Sequence, residues 1–359
     1  IERELSISPL DNLNFHFVEV PLWLKRILFG QLGIFLHYYF WQHYAYLYSK
    51  SLSTKFDIVH HVTWGSLKGG SELWKLNYPF IFGPIGGGDV ALKPFLDYLE
   101  EDKYKEIIRS IITKNSLSII PITRKTIENS EVILVDNQET KNLVESVKPK
   151  RVQLFSDNSL SIDYNVSKLK LKKHHKELRL LWVGRIYPIK GLNLVLRTLK
   201  QVTIPFELNI VGDGPWGYKI PYWIEKNNLN GKVKWHGWIP WDQLMSLYKQ
   251  YDAFIFTSLR ESFGIQLWEA MSFGLPIITL NCFGARTWVP SNVGIKVPVT
   301  NHDETIELLS QAITFLYEKP ELRLGMGKSA IEYTASNNWS RKIKEINEIY
   351  NNVVEGKEI

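Results

Sequence analysis

Short apolar runs alternate along the chain with longer stretches of helical periodicity. Most of these runs are apolar at successive positions, which is typical of strands covered on both faces of a sheet. Strands that alternate with helices indicate right-handed βαβ units and parallel sheets. The pattern therefore predicts an α/β protein. The predicted strands are 15–20, 56–62, 80–82, 132–135, 152–155, 178–183, 206–211, 233–236, 253–256, 277–280 and 294–297.

The chain has 359 residues, more than the roughly 250–300 that a single hydrophobic core usually serves. Its least patterned stretch, 161–176, is rich in lysine and lacks periodicity, so we place a domain boundary there. The predicted domains are 1–165 and 166–338, and a last helix within 339–359 is expected to pack across the linker. Two doubly wound sheets joined in this way form a cleft at the carboxyl ends of their strands, where such folds bind ligands.

Charge and cysteine content narrow the class of function. The formal net charge of +6 suits anionic ligands such as phosphates, or an anionic membrane surface. No stripe of Lys and Arg interleaves with aromatic residues, so we expect no nucleic-acid partner. The single cysteine, Cys282, excludes an intramolecular disulfide in this sequence and fits a reducing cytoplasm, where we expect the protein to work.

The most apolar stretch, 21–48, carries many aromatic residues. Charged and amide side chains interrupt it, so it falls short of the ~20 clean apolar residues that a membrane span needs. A packed core helix is the favoured interpretation, because apolar helices of large domains are usually buried. The alternative is a face for an acceptor or for peripheral membrane association.

Two cations follow the predicted strand 178–183, in the loop GRIYPIKG at 184–191. Gly184 lets the backbone approach a ligand closely. Arg185 and Lys190 would stand at the mouth of the cleft, near a helix N-terminus. A guanidinium and an ammonium together could hold a diphosphate. The alternative is a pair of solvated surface cations.

A pair of carboxylates flanks a second loop, which follows the predicted strand 253–256. Glu261 precedes a helix and Glu269 lies about two turns inside it, so both could face the cleft. The free backbone amides of the loop would point at a bound ligand. The loop residues expected to contact that ligand are Ser262, Phe263, Gly264 and Ile265. As the alternative, the two acids would be a helix-start acid favoured by the dipole and a surface acid.

These motifs resemble those of the family 4 retaining glycosyltransferases, which have the GT-B architecture of two Rossmann-like domains facing across a cleft. The matching segments are GRIYPIKG (184–191), IVGDGP (210–215), the glycine after a strand in VKWHGWIP (233–240), and ESFGIQLWEAMSFGLPII (261–278), the last with the family's Glu-x7-Glu. The resemblance implies that Arg185 and Lys190 bind the donor diphosphate. It also implies that Glu261 and the loop amides contact the donor sugar, and that Glu269 binds the ribose hydroxyls.

The resemblance further implies that the anomeric configuration is retained. Arg185, Lys190 and the amides after Glu261 would stabilise the charge that develops on a leaving diphosphate. The sequence contains no Asp-x-Asp, so the usual ligands of a metal-dependent mechanism are missing. We therefore expect neither a metal ion nor another cofactor.

The N-terminal half offers weaker candidates. His60 and His61 lie in the predicted strand 56–62, and only one of them can face the cleft, because successive strand residues point to opposite faces. His61 is favoured, since it lies nearer the strand end, and the family often has an acceptor-facing histidine near here; a structural histidine is the alternative. Gly87 and Gly88 would allow close backbone approach to a ligand, or serve as a tight connection.

The family's N-terminal domain normally opens with a strand, a glycine-rich loop and a helix. This unit is not found here, so the resemblance predicts an N-terminally incomplete chain. A dehydrogenase is disfavoured, because the G-x-G-x-x-G at 212–217 lacks the acid that a dinucleotide site has about 20 residues further on.

The sequence therefore predicts an enzyme that moves a sugar from a nucleoside diphosphate sugar to a hydroxyl of a glycan or lipid-linked acceptor. Cell-surface polysaccharide or glycolipid synthesis is the expected setting. The alternatives are a nucleotide-sugar epimerase of the same architecture and a non-catalytic nucleotide-sugar-binding subunit. A glycoside hydrolase would also use two carboxylates, but it would not need the Arg–Lys pair.

Overall fold

A computed structural model describes residues 12–27, 30–62, 64–156, 158–160 and 176–356. Within these ranges the strands form two separate parallel sheets, one of four strands and one of six. The four-stranded sheet lies in the N-terminal half, with its strands side by side in chain order. They are β1 (Val59–His61), β2 (Phe80–Ile85), β3 (Val132–Val135) and β4 (Val152–Leu154).

The six-stranded sheet lies in the C-terminal half, and its spatial order reverses at its centre. Its strands are β5 (Leu178–Val183), β6 (Phe206–Val211), β7 (Val233–Trp235), β8 (Ala253–Phe256), β9 (Ile277–Leu280) and β10 (Gly294–Val297). The order is β10-β9-β8-β5-β6-β7, and every pair is parallel. The reversal between β5 and β8 is a topological switch point, the place where a doubly wound sheet binds its ligand.

Helices connect most of the strands. In the N-terminal half they are α1 (Leu22–Ile27), α2 (Gly30–Ser51), α3 (Lys103–Lys114), α4 (Ser116–Ile119), α5 (Pro121–Glu128) and α6 (Gln138–Glu145). The C-terminal half has α7 (Leu192–Leu199), α8 (Ile220–Lys226), α9 (Trp241–Tyr248), α10 (Ile265–Ser272), α11 (Phe283–Trp288), α12 (His302–Glu318), α13 (Pro320–Ser336) and α14 (Trp339–Val354).

The central strands of the six-stranded sheet are buried on both faces, which explains their apolar residues. Along β5, Leu180 and Trp182 pack into one hydrophobic cluster, while Leu181 between them packs into the cluster on the opposite face. All three side chains are at most 2% exposed. Because successive strand residues point to opposite faces, a strand covered on both sides needs apolar residues at every position. The predicted fold class, two Rossmann-like doubly wound domains facing across a cleft, is confirmed.

The last helix, α14, packs against the N-terminal sheet rather than against the sheet that precedes it. Ile349 is 2% exposed and joins a cluster with Ile81 and Leu134 of that sheet. The hydroxyl of Tyr350 lies 2.7 Å from His60 Nδ1. The C-terminal end of the described chain therefore completes the core of the N-terminal half.

Direct hydrogen bonds also join the two halves in front of the sheets. Trp288 Nε1, on α11, donates to the carbonyl of Asp136 at 2.6 Å. Glu139, at the start of α6, pairs with Arg286 at 3.1 Å and accepts from the amide of Phe283 at 3.0 Å. The N-terminus of each of these two helices thus lies at the contact between the halves.

Most of the predicted strands are confirmed within one to three residues, but the strand predicted at 15–20 is wrong. Residues 13–21 form neither helix nor strand. The segment runs beside α2 instead: Val18 O accepts from Trp41 Nε1 at 2.9 Å, and His16 Nδ1 lies 2.8 Å from the hydroxyl of Tyr48. Side chains of α2 thus bond to this segment where the backbone of a neighbouring strand was expected to do so.

The expected domain boundary falls among residues 161–175, which lie outside the described ranges, and the bounds 1–165 and 166–338 stay a prediction. Most of the basic run at 168–176 and the first 11 residues also lie outside the described ranges. Of the helices in the described ranges, none combines the length and the hydropathy needed to cross a bilayer.

Candidate active site

The loop after β5 lies against the end of β8, at the switch point of the sheet. Gly191 has a φ of +69°, and a Cβ there would overlap the carbonyl oxygen of Thr257, so only glycine lets the two loops meet. Leu259 N then donates to Ile189 O at 2.8 Å. The turn Pro188–Lys190 is thereby held against the loop that follows β8.

The two charged groups predicted from separate motifs are in direct contact. Lys190 Nζ donates to the carboxylate of Glu261, and the side chains are 22% and 21% exposed. Arg185, from the same loop as Lys190, is exposed and lies 5.6 Å from the ring centre of Tyr187. The sheet topology therefore places both cations and Glu261 at the same end of the central strands.

The loop after Glu261 presents unpaired amides at the start of α10. Gly264 has a φ of +84° and precedes the first helical residue, Ile265. Among the described residues, no acceptor pairs with the amides of Phe263, Gly264 or Ile265. Free amides at a helix N-terminus, together with the positive end of the helix dipole, favour an anion.

A cavity of about 430 Å³ opens beside Arg185. Residues from the ends of β5 and β6, the segment after β7, α9 and α10 form its wall. They are Val183, Gly184, Arg185, Val211, Gly212, Asp213, Trp238, Ile239, Trp241, Leu244 and Gln266. Trp238 is 72% exposed and Trp241 50%, so two aromatic faces are open at its rim. Such faces stack on planar rings.

The tryptophans of this cavity were not anticipated from the sequence. The signal was present in VKWHGWIPW at 233–241, where tryptophans follow a strand of the central sheet. Loops at the carboxyl end of neighbouring parallel strands share one edge, so this segment had to lie near Arg185.

Glu269 lies behind the cavity, on the buried side of α10. It is 7% exposed and accepts hydrogen bonds from Trp241 Nε1 at 3.0 Å and from the hydroxyl of Tyr248 at 2.9 Å. Burial raises the pKa of its carboxyl group. Glu269 therefore orients the indole of Trp241 at the cavity wall, and its contact with ribose hydroxyls stays a prediction.

The N-terminal half contributes a carboxylate that the sequence analysis passed over. Asp89 ends the run GGGD, is 2% exposed and accepts from Ser262 Oγ at 2.7 Å. Asn137 Nδ2 reaches both Asp89 Oδ1, at 2.9 Å, and the carbonyl of Ser262, at 3.1 Å. Burial raises the pKa of Asp89. The loop between Glu261 and α10 is thus anchored from across the cleft.

The glycines before Asp89 allow close packing at the cleft. A Cβ on Gly86 would lie 2.6 Å from Ser262 Oγ, and one on Gly88 would lie 2.5 Å from the Cα of Thr140. Gly87 has a φ of +98°, and its Cβ would meet Ser66 Oγ at 3.6 Å. Gly86 is thus explained by packing against the C-terminal half, Gly88 by packing within the N-terminal half, and Gly87 by its positive φ. Ligand contact at Gly87 and Gly88 stays a prediction.

Both candidate histidines have protein partners at each ring nitrogen. His61 is 4% exposed, with Tyr38 Oη 3.0 Å from Nε2 and Ser71 Oγ 2.9 Å from Nδ1. His60 Nε2 lies 2.6 Å from the carbonyl of Gly83, and its pKa is lowered by burial. These contacts fit packed structural histidines, and an acceptor-facing role for His61 or His60 stays a prediction.

Among the described residues, no group of His, Cys, Asp and Glu is arranged to hold a metal ion. Whether transfer proceeds without a metal stays a prediction. The ionic and hydrogen-bonding groups that the structure does gather at the switch point are Arg185, Lys190, Glu261 and the amides of α10.

Two facing parallel sheets, with cations and free amides at the switch point of the second, define the GT-B class of glycosyltransferase folds. Residues 164–333 match the family described as glycosyl transferases group 1. The family 4 subdivision, which the motifs resemble, stays a prediction.

Relatives and solved structures agree with this assignment. The GPI3 subunit of phosphatidylinositol N-acetylglucosaminyltransferase from Saccharomyces cerevisiae is 24% identical over 233 residues, covering 62% of this chain and 50% of the relative. The chain thus spans about half the length of the curated relatives it matches.

Two solved structures share the whole architecture. A sucrose-phosphate synthase from Thermosynechococcus elongatus superposes with a TM-score of 0.64 at 17% identity, over 92% of this chain and 81% of the other. HepE from Anabaena, in complex with UDP, gives a TM-score of 0.60 at 18% identity, over 90% of this chain and 84% of the other. At these identities the likeness concerns the fold.

Proposed function

We propose that the protein transfers a sugar from a nucleoside diphosphate sugar to a hydroxyl acceptor, with retention of the anomeric configuration and without a metal ion. The observation that carries the proposal is the contact of Lys190 with Glu261 at the switch point, beside the cavity that Arg185 lines. The fold neighbour HepE holds UDP, which supports a nucleoside diphosphate as the donor's leaving group.

Each group has a role in this reaction. Arg185, Lys190 and the free amides at the start of α10 stabilise the negative charge that develops on the diphosphate. The carboxylate of Glu261 accepts hydrogen bonds from the hydroxyls of the donor sugar and holds the Lys190 ammonium in place. The tryptophans of the cavity wall stack on the nucleoside base, and Glu269 fixes the nearer of the two.

Substitution of the two cations tests the proposal. We expect Arg185→Ala and Lys190→Ala each to lower kcat by about 10²–10³, the cost of losing one preorganised donor to a developing charge. Lys200→Ala, an exposed lysine at the end of α7, serves as the control and should turn over like the wild type. Wild-type turnover by both cleft variants would refute the assignment.

Product analysis separates transfer from its alternatives. With the nucleotide-sugar alone, a transferase gives no isomerised sugar nucleotide, whereas an epimerase does. Donor binding that raises the melting temperature without any turnover of donor and acceptor would instead favour the non-catalytic subunit.

We propose a glycan or lipid-linked acceptor, in cell-surface polysaccharide or glycolipid synthesis. The yeast relative is named for phosphatidylinositol, a membrane lipid, and this supports an acceptor carried at a membrane. The protein would then work in the cytoplasm, on the inner face of the membrane, with no nucleic-acid partner.

Helix α3 supports peripheral attachment to an anionic membrane surface. Its apolar residues point outward: Tyr104 is 74% exposed, Ile108 58% and Ile111 55%. Its inward face is polar, with Glu106 and Thr113 buried. Lys114 adds positive charge, while Lys103 and Lys105 pair with Asp97 and Asp102. An outward apolar face flanked by lysines suits the boundary between lipid headgroups and acyl chains.

Vesicle flotation tests this attachment. We expect the wild type to float with vesicles that contain anionic lipid, and Ile108→Glu to reduce the bound fraction several-fold, because a charge would replace buried apolar area. Ile343→Glu, at a residue of α14 that is 55% exposed, is the matched control. Equal flotation of both variants and the wild type would exclude α3 as the attachment surface.

A further inference from the structure

Three cationic side chains lie beside the candidate active site and have no role in the mechanism above. Lys68 lies in the turn Leu67–Gly69, Arg109 on α3, and Arg260 directly before Glu261. We call Lys68, Arg109 and Arg260 the basic cluster. They come from three distant parts of the chain, and no motif in the sequence indicates that they meet.

One carboxylate serves two members of the basic cluster. Glu106 is 7% exposed, and its Oε1 lies 2.5 Å from Arg109 Nη2 and 3.2 Å from Arg260 Nε. The second contact is an ion pair without a hydrogen bond, so the buried Nε of Arg260 has no acceptor among the described residues. Two guanidinium groups thus share a single negative charge.

Lys68 has no carboxylate within ion-pair distance among the residues that the structure describes. Burial lowers its pKa to about 8, and repulsion from Arg109 and Arg260 contributes to this decrease, against weaker attraction from Glu106 and Asp89. Burial is the larger cause, because it disfavours the charged ammonium, and the two neighbouring guanidinium groups add to it.

The nearest other carboxylate is already engaged. Asp89 accepts from Ser262 Oγ and from Asn137 Nδ2, while Arg109 donates to the backbone carbonyl of Asp89 at 2.8 Å. Three cations therefore face one directly paired carboxylate and one carboxylate committed to neutral donors. The basic cluster carries an excess of positive charge in a partly buried place.

The position of the basic cluster relates it to the N-terminal side of the cleft. Ser66, next to the turn of Lys68, pairs with Gly86 of the glycine-rich run, and Leu67 N donates to Gly86 O at 2.9 Å. Arg260 adjoins Glu261, which contacts Lys190. The basic cluster thus lies across the donor-sugar loop from the C-terminal sheet, where an acceptor must approach if the proposed function holds.

We propose that Lys68, Arg109 and Arg260 bind a phosphate group of the acceptor, as a phosphate ester or a pyrophosphate. This inference rests on the proposed transferase function and adds to it the chemical class of the acceptor. A dianionic phosphate matches the excess charge better than a carboxylate, and guanidinium groups pair with its oxygens in bidentate geometry. Arg260, whose Nε has no hydrogen-bond acceptor, offers its guanidinium group, and Lys68 offers its ammonium.

Inorganic phosphate is the probe, with UDP present at saturation so that the donor site is occupied. We expect the wild type to bind phosphate under these conditions in a calorimetric titration. Lys68→Met and Arg260→Gln should each weaken the affinity at least tenfold. Lys200→Met, the same charge change at an exposed lysine, should bind phosphate like the wild type. Wild-type affinity in both cluster variants would overturn the proposal.

The pH dependence gives a second readout that a structural role would not move. The ammonium of Lys68 is retained below pH 8 and lost as the pH rises through 8, so phosphate affinity should fall above that pH. The charged groups that act on the Lys68 ammonium are Arg109, Arg260, Glu106 and Asp89. Lys68→Arg should retain binding and abolish the fall, because arginine stays protonated. The same fall in Lys68→Arg would contradict the assignment.

The source of the phosphate is resolved with two further probes. A soluble sugar phosphate should compete with inorganic phosphate in solution if the acceptor is soluble. Phosphatidylcholine vesicles that contain phosphatidic acid should compete, and pure phosphatidylcholine vesicles should not, if the phosphate belongs to a lipid. Either result supports the site, and competition by neither probe would count against an acceptor phosphate.

Failure of this inference and failure of the proposed function give different results. If UDP does not bind, the proposed function fails, and the phosphate titration is then read without UDP. If UDP binds equally to the wild type and to Lys68→Met while phosphate affinity is also equal, the inference alone fails. Phosphate binding that disappears when UDP is added would mean an adventitious ion in the donor site only.

Discussion

Two carboxyl groups at the cleft lie in buried surroundings that disfavour their ionised form. Asp89 and Glu269 are almost fully buried, each accepts from two neutral donors, and burial raises the pKa of both. A buried carboxylate with neutral donors is costly to keep, so residues of this kind are candidates for function. They also make stability depend on pH.

We expect Asp89 to make the folded state less stable as the pH rises above its ordinary pKa of 3.8. The raised pKa means that the folded state binds the proton more tightly than the unfolded state does, so the free energy of unfolding falls with rising pH in this window. Asp89→Asn removes this dependence. This pH dependence is measured by urea unfolding of the wild type and the variant. The pH values run from about 3.5 to about one unit above the ordinary pKa.

The control for Asp89 has the opposite sign. Asp97 is fully exposed and pairs with Lys103, which lowers the pKa of its carboxyl group. Its contribution to stability is therefore present above pH 3.8 and is lost as the pH falls through the lowered pKa. If Asp89→Asn and Asp97→Asn changed the pH profile in the same direction, the account of Asp89 would be wrong.

The sequence anticipated those site residues that lie within one short motif. Arg185, Lys190 and Glu261 each follow a strand of the central sheet, and parallel topology alone brings them together. Asp89 and Lys68 could not be found in this way. Their roles depend on side chains that meet from distant segments, and no local pattern encodes such a meeting.

Among the elements, the strands of the C-terminal sheet were the easiest to predict. The strands β8 and β9 are apolar at nearly every position because they are covered on both faces, as is the centre of β5. The segment at 15–20 (FHFVEV) is rich in apolar residues, yet Phe15 and Phe17 are 44% and 66% exposed and the segment lies along α2. A short apolar run does not by itself specify that a sheet covers it.

Two glycines of α13 allow a matched test of helix packing. A Cβ on Gly325 would have no heavy atom within 4 Å, whereas a Cβ on Gly327 would lie 2.5 Å from the carbonyl oxygen of Gly274. Gly325→Ala should raise the free energy of unfolding by about 0.4–1 kcal/mol, because alanine restricts the unfolded chain. Gly327→Ala should lower it by about 1–3 kcal/mol through overpacking.

Thermal or urea unfolding of the two glycine variants measures both effects. They lie two positions apart on the same helix, so differences in helix propensity cancel between them. A stabilising Gly327→Ala would show that α13 can move away from the loop at Gly274, and would contradict the close contact described for this pair.

At the scale of the whole molecule, α14 joins the two halves. It follows α13 of the C-terminal half and places Ile349 in the core of the N-terminal sheet. Ile349→Ala should lower the free energy of unfolding by about 2–5 kcal/mol, because it leaves a cavity in that core. Hydrogen exchange should accelerate most in β2 and β3, which the helix covers.

Ile343→Ala is the control for this prediction, since Ile343 lies on the same helix and is 55% exposed. It should change the free energy of unfolding by less than about 0.5 kcal/mol. Faster exchange confined to the C-terminal sheet in Ile349→Ala would contradict the packing of α14 against the N-terminal half.

The return of α14 has a consequence for how the polypeptide matures on the ribosome. Domains usually fold in the order in which they are synthesised. Here α14, which is synthesised after the rest of the C-terminal half, covers one face of the N-terminal sheet. The N-terminal half therefore exposes apolar surface while the C-terminal half is being synthesised. The C-terminal half would then reach its native state first, and chaperones would act mainly on the N-terminal half.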